Sequence, residues 1–183
     1  MKFFTAAIAF LASSGVVYSL PVKRDARSIL DSMDDISSTI GQLRESLADF
    51  DPGIVGTVTA LKIHTQALQL AGIITGAKRT AEDSDSLDES GSAQVANGVT
   101  GLQPHVLGVL DDMIAKKEAF DKAILGIGSA RILVKADLQL LRKNTADFGK
   151  AVTAKLNPEF AKLAPLILAN IDAHFRDAII VYS

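Results

Sequence analysis

Residues 29–50 read ILDSMDDISSTIGQLRESLADF, and the spacing of their apolar side chains decides the fold. Ile29, Met33, Ile36, Ile40, Leu43, Leu47 and Phe50 recur at alternating intervals of four and three, which is one face of a helix. Asp31, Asp34, Asp35, Gln42, Arg44 and Glu45 fall largely off that face. Asp51-Pro52 then ends this helix and opens the next, because aspartate caps a helix start and proline's missing N–H costs nothing in the first turn.

The same helical period continues downstream. A second helix is expected from about 53 to 79, with Ile54, Val58, Leu61, Leu68 and Ile74 along its face. Its few polar interruptions, chiefly Lys62, His64, Gln66 and Gln69, predict a central helix enclosed by the others. Any cavity would then run beside it, with Gly72 and Gly76 leaving room. His64 is expected to face solvent, since a buried histidine needs a partner; the alternative is a place at a cavity mouth beside a carboxylate head group. Residues 80–92 are acidic and serine-rich and read as a linker, with Ser86 and Glu89 at capping-box spacing.

A third helix carries Val95, Val99, Leu102, Val106, Val109 and Met113, is bent at Pro104, and ends near Lys116-Lys117. Phe120 to Ser129, with Gly126 and Gly128, reads as a turn. A fourth helix carries Val134, Leu138, Leu141, Thr145, Phe148 and Val152. Asn157-Pro158 repeats the cap-then-proline signal before a fifth helix with Phe160, Leu163, Ile167, Ile171, Phe175, Ala178 and Tyr182, kinked at Pro165. No segment alternates polar and apolar residues with a strand's period. The expectation is an all-α, single-domain bundle of about five amphipathic helices. It has no disulfides, because the sequence contains no cysteine.

Upstream of the bundle, residues 1–19 have the parts of a cleavable signal peptide: Lys2, an apolar run from Phe3 to Ala12, and Val17-Tyr18-Ser19 for cleavage after Ser19. The run is shorter than the roughly 20 apolar residues that span a bilayer. Lys23-Arg24 is a dibasic processing signal, so residues 20–24 form a short propeptide and 25–183 the mature domain. Loss of Lys2, Lys23 and Arg24 with no acid makes that domain more acidic than the whole chain, whose net charge is −2, and gives it no affinity for nucleic acid. No Asn-x-Ser/Thr acceptor, lipid-anchor tail or Ser/Thr/Pro stalk is visible.

Catalytic chemistry is missing. His64, His105 and His174 lie on different helices without metal-ligand spacing, and no cysteine completes a zinc site. Asp34-Asp35 and Asp111-Asp112 point in divergent directions on their helices and read as solvated faces. There is no nucleophile elbow and no phosphate loop. The chain is therefore read as a non-enzyme that needs no cofactor and no metal.

The stretches IAKKEAFD (114–121), ADLQLLRKNTADF (136–148), AVTAKL (151–156) and NIDAHF (170–175) before Tyr182 resemble the fungal hydrophobic surface-binding protein A family, also called cell-wall galactomannoproteins or antigenic mannoproteins. The resemblance extends over about residues 25–182. It implies a secreted, extracellular helical domain, at most loosely associated with the cell wall, that engages fatty acids or hydrophobic surfaces. Some relatives help secreted hydrolases reach such surfaces.

Two functions follow. In the first, an acyl chain lies between helices, lined by the mid-helix positions Ile36, Ile40, Leu61, Leu68, Val106, Leu110, Leu138, Leu141, Ile167 and Ile171. In the second, the helices adsorb to a hydrophobic solid and dock a hydrolase. A wall antigen with no defined ligand is the third possibility.

Overall fold

The computed structural model describes residues 26–51, 54–123 and 130–183. The predicted signal peptide and dibasic site, Pro52 and the glycines of the 126–128 turn lie outside those residues. Within them the chain is helical and has no strand: α1 (Ala26–Ala48), α2 (Ile54–Asp83), α3 (Glu89–Ala115), α4 (Lys117–Lys122), α5 (Arg131–Thr153), α6 (Pro158–Ala161) and α7 (Ala164–Val181). The five long helices close a ring. α1 packs between α2 and α3, α5 packs between α2 and α7, and α7 returns to α3.

α1 buries the stripe read from its sequence, from Ile29 to Leu47, and Phe50 follows it into the core. α5 likewise buries Val134, Leu138, Leu141, Phe148 and Val152. Both helices have one polar side, so burial of the other is the only arrangement that removes apolar surface from water.

α2 departs from expectation. It is a wall of the ring, held by α1 and α5, and is not enclosed. Val58, Leu61 and Leu68 point outward, 68%, 46% and 46% exposed. The inward face is Ala60, Ile63, Ala67, Leu70, Ala71, Ile74, Ala77 and Ala81. With apolar residues on both sides, volume decides which side faces in, and alanines let the α2 backbone lie close to its neighbours. Gly72 and Gly76 also face open space and line no cavity.

The connections differ in detail from the sequence reading. Asp88 caps α3, accepting from the Gly91 amide at 2.7 Å, in place of the Ser86–Glu89 box. Residues 117–122 form a short helix where a turn was expected, and its Phe120 is fully buried. Asn157 does cap a helix, accepting from the Glu159 amide at 3.1 Å, but that helix is only α6. Pro165 sits in the first turn of α7, so the predicted kink is a separate helix start.

The two ends of the ring are closed differently. At one end Phe50 packs tilted against Phe120 and Tyr182 packs edge-on to Phe120, with centroids 4.5 Å and 6.0 Å apart, and the Tyr182 hydroxyl donates to Met113 O at 2.5 Å. Lys116 Nζ, expected at its own helix terminus, instead donates to Ala48 O and Phe50 O. Elsewhere the Leu87 amide donates to Lys155 O at 2.7 Å and the Asn157 amide to Ser92 Oγ at 2.8 Å, which ties the α2–α3 loop and the start of α3 to the α5–α6 loop.

His64 is half-buried and is paired within the chain, where open solvent or a cavity mouth was expected. Its Nδ1 lies 2.9 Å and 3.0 Å from the two carboxylate oxygens of Asp137, a buried residue on α5 that sequence inspection did not single out. The imidazole Nδ1–H donates and so joins α2 to α5. Burial pushes the Asp137 carboxyl up from its ordinary value of 3.8, and the hydrogen bond and charge of His64 pull the other way. A carboxyl with a raised folded-state pKa carries no penalty below its ordinary value and the full penalty above the raised one. Asp137→Asn keeps an acceptor for the imidazole and removes the charge. Its stability relative to the unmodified protein is expected to rise as pH rises through that window, read from urea midpoints at about pH 3 and pH 7. A difference that shrinks with rising pH would mean that the interaction with His64 outweighs desolvation of the carboxylate.

Candidate ligand-binding site

Two apolar cavities lie inside the ring. The smaller, about 50 Å³, is central and takes walls from all five long helices: Ile36, Ile40 and Leu43 of α1, Ala67, Leu70 and Ile74 of α2, and Phe175 of α7 among them. The larger, about 120 Å³, lies between α3, α5, α6 and α7, bounded by Val99, Val152, Leu156, Phe160, Leu163 and Ile167 with Met33 at its back. Leu102, Val106, Thr145 and Phe148 border both. These four side chains are the partition between the cavities. Apolar voids of this kind stay dry, and an apolar ligand can replace the missing contacts of their linings.

Of the ten expected lining residues, Ile36, Ile40, Val106, Leu110, Leu138 and Leu141 border the central cavity. Ile167 and Ile171 border the larger one, as Val106 also does. Leu61 and Leu68 do not belong to the set: they are on the outward face of α2. The larger cavity was not foreseen as a unit, because Leu156 lies in the α5–α6 connection and Phe160 and Leu163, read as the start of one continuous fifth helix, belong to α6 and the α6–α7 junction.

Gly149 allows this geometry. A Cβ there would come within 2.3 Å of Leu168 Cδ2, so the missing side chain gives Leu168 its seat between α5 and α7. At the rim, Gln103 Nε2 donates to Asn170 Oδ1 at 2.9 Å between α3 and α7. Arg142 clasps Asp172 at 2.6 Å and 3.1 Å between α5 and α7, and this hydrogen bond, more than the charge, holds the Asp172 carboxyl below its ordinary range. Among the described residues no group of acids and histidines is arranged to hold a metal ion. Asp112 is engaged by Arg44 at 2.5 Å, and His174 Nδ1 donates to Asn170 O. No described helix is long and apolar enough to cross a membrane.

An apolar interior of this kind can accommodate hydrophobic material. Residues 26–154 match the hydrophobic surface binding protein A family. The chain belongs to that family. The match spans α1 to α5, and α7, which completes the larger cavity, lies beyond it. No curated protein sequence matches the chain.

Solved structures share the architecture of this hydrophobic surface binding protein A domain. AfMP4p in complex with palmitic acid is 28% identical, with a TM-score of 0.80 over 87% of this chain and 100% of that one. Ligand binding domain 2 of Penicillium marneffei MP1 protein, complexed with multiple arachidonic acids, is 16% identical, with a TM-score of 0.75 over 88% and 98%. Domain 1 of the same protein, complexed with arachidonic acids, is 15% identical, with a TM-score of 0.73 over 84% and 95%.

Proposed function

We propose that this domain is a non-enzymatic, extracellular carrier of long acyl chains, exported on residues 1–19 and trimmed after Lys23-Arg24. The observation that carries the reading is the pair of apolar cavities meeting at Leu102, Val106, Thr145 and Phe148. A chain threaded past this partition touches all five long helices. Each buried methylene contributes about 0.8 kcal/mol, enough to exceed the cost of association for a long chain. AfMP4p, with palmitic acid in the same architecture, supports the choice of a fatty acid.

Val106 borders both cavities and is buried, so Val106→Trp should fill the junction. Overpacking should cost about 1–3 kcal/mol, leaving the variant folded. Delipidated protein is expected to take up palmitic acid in native mass spectrometry and to melt at a higher temperature with it, by mass action. The variant should do neither. Unmodified protein that takes up no fatty acid and shows no shift would overturn the reading.

A second reading, adsorption to hydrophobic surfaces, is favoured by the outward stripe of Val58, Leu61 and Leu68 on α2. Replacing these three with serine should abolish retention on hydrophobic beads and leave palmitate uptake intact. Equal retention would remove the stripe from consideration.

A further inference from the structure

Thr145 borders a third cavity besides the two apolar ones. This vestibule, about 220 Å³ between α5 and α7, has Arg142, Lys150, Leu168 and Asp172 in its wall. Its charges do not cancel. Asp172 is shared by Arg142 at 2.6 Å and Arg176 at 3.3 Å. Lys150 makes no ion pair or hydrogen bond among the described residues; its charge acts at longer range on Asp147, one turn away on α5, which is held by Lys143 at 2.8 Å.

The Thr145 hydroxyl is also available. The hydroxyls of Thr75, Thr100 and Thr153 donate to the carbonyl four residues earlier, whereas that of Thr145 makes no hydrogen bond among the described residues. Thr145, Leu168 and Ile171 border both the vestibule and the larger apolar cavity, and of these the flexible Leu168 side chain is seated in the space that Gly149 leaves. A largely apolar chamber with two cationic side chains in its wall thus adjoins the larger apolar cavity across Thr145, Leu168 and Ile171.

We infer that the vestibule between α5 and α7 binds the carboxylate of a long-chain fatty acid, with Lys150 and Arg142 facing the anion, the Thr145 hydroxyl donating to it, and the chain passing Leu168 into the apolar cavities. The inference rests on the acyl-chain reading above and adds the position and polarity of the ligand within it. A carboxylate there completes the charge balance of the vestibule and gains charge-assisted hydrogen bonds, while the methylenes leave water.

The test compares palmitic acid with its methyl ester on delipidated full-length protein by calorimetric titration. Lys150 is exposed, so Lys150→Glu should leave the fold intact, as a thermal melt would verify. The unmodified protein is expected to prefer the acid. Lys150→Glu should weaken binding of the acid about tenfold and leave the ester unchanged, and Thr145→Val should weaken the acid by about threefold. If both ligands bind and Lys150→Glu binds the acid as tightly as before, the carboxylate lies elsewhere and this inference falls while the acyl-chain reading stands. If the unmodified protein binds neither ligand, the acyl-chain reading falls and takes the inference with it.

Discussion

Tyr182→Ala is expected to cost about 3–5 kcal/mol, the range for deleting a buried aromatic ring. The residue is 1% exposed at the end of the chain, its ring edge-on to Phe120 and its hydroxyl on Met113 O. Its backbone carbonyl accepts from Arg131 Nε at 3.2 Å, so the side chain and main chain together fasten the end of α7 to α3 and to the start of α5. Burial, reinforced by the charge of Asp121, pushes the phenol well above its ordinary range and keeps it a donor. Tyr182→Phe retains the ring and should cost only about 0.5–1.5 kcal/mol, because Met113 O keeps the Lys116 amide at 3.2 Å. Urea unfolding of both variants separates packing from the hydrogen bond. Equal losses would show that the hydroxyl, and not the ring, fixes this end.

Phe148→Ala should cost a similar amount, about 3–5 kcal/mol in the delipidated protein. The loss should be partly recovered on ligand binding. Phe148 is buried and stands between the two cavities, so its removal joins them. A ligand at a hundredfold excess over its dissociation constant adds about 2.7 kcal/mol to any folded protein that binds it, and tighter binding adds more. The expected calorimetric result is a lower melting temperature without palmitic acid and a larger ligand-induced rise than in the unmodified protein. An unchanged rise would mean that the phenyl ring does not limit the space available to the chain.

The helices were legible where polarity is one-sided. In α1 and α5 a charged face leaves a single way to bury the rest, and the lining positions chosen there, Ile36, Ile40, Leu138 and Leu141, do border a cavity. α2 was misread because hydropathy ranks Leu61 and Leu68 above Ala60 and Ala67, whereas close helix packing selects the small residues. Asp137 escaped notice because an acid inside ADLQLLRKN looks like a helix's wet side, and only the fold brings His64 to it. The vestibule drew no signal either. Arg142 and Lys150 are spaced along α5 as ordinary surface residues are, Thr145 read only as one position of the helix's inward series, and their joint meaning comes from the approach of α7.

The alanine-lined inner face of α2 sets an uneven rule for how the sequence can drift. Outside, Val58, Leu61 and Leu68 can be exchanged for polar residues with little loss of stability, because no packed neighbour depends on them. Inside, Ala71, whose carbonyl accepts from Asn144 of α5, tolerates almost no added volume, since each extra methylene must push a packed neighbour outward. A lineage constrained by folding alone would therefore keep the small, featureless residues of this helix and lose its conspicuous ones. Retention of the outward leucines across divergent relatives would then mark selection for something other than the fold.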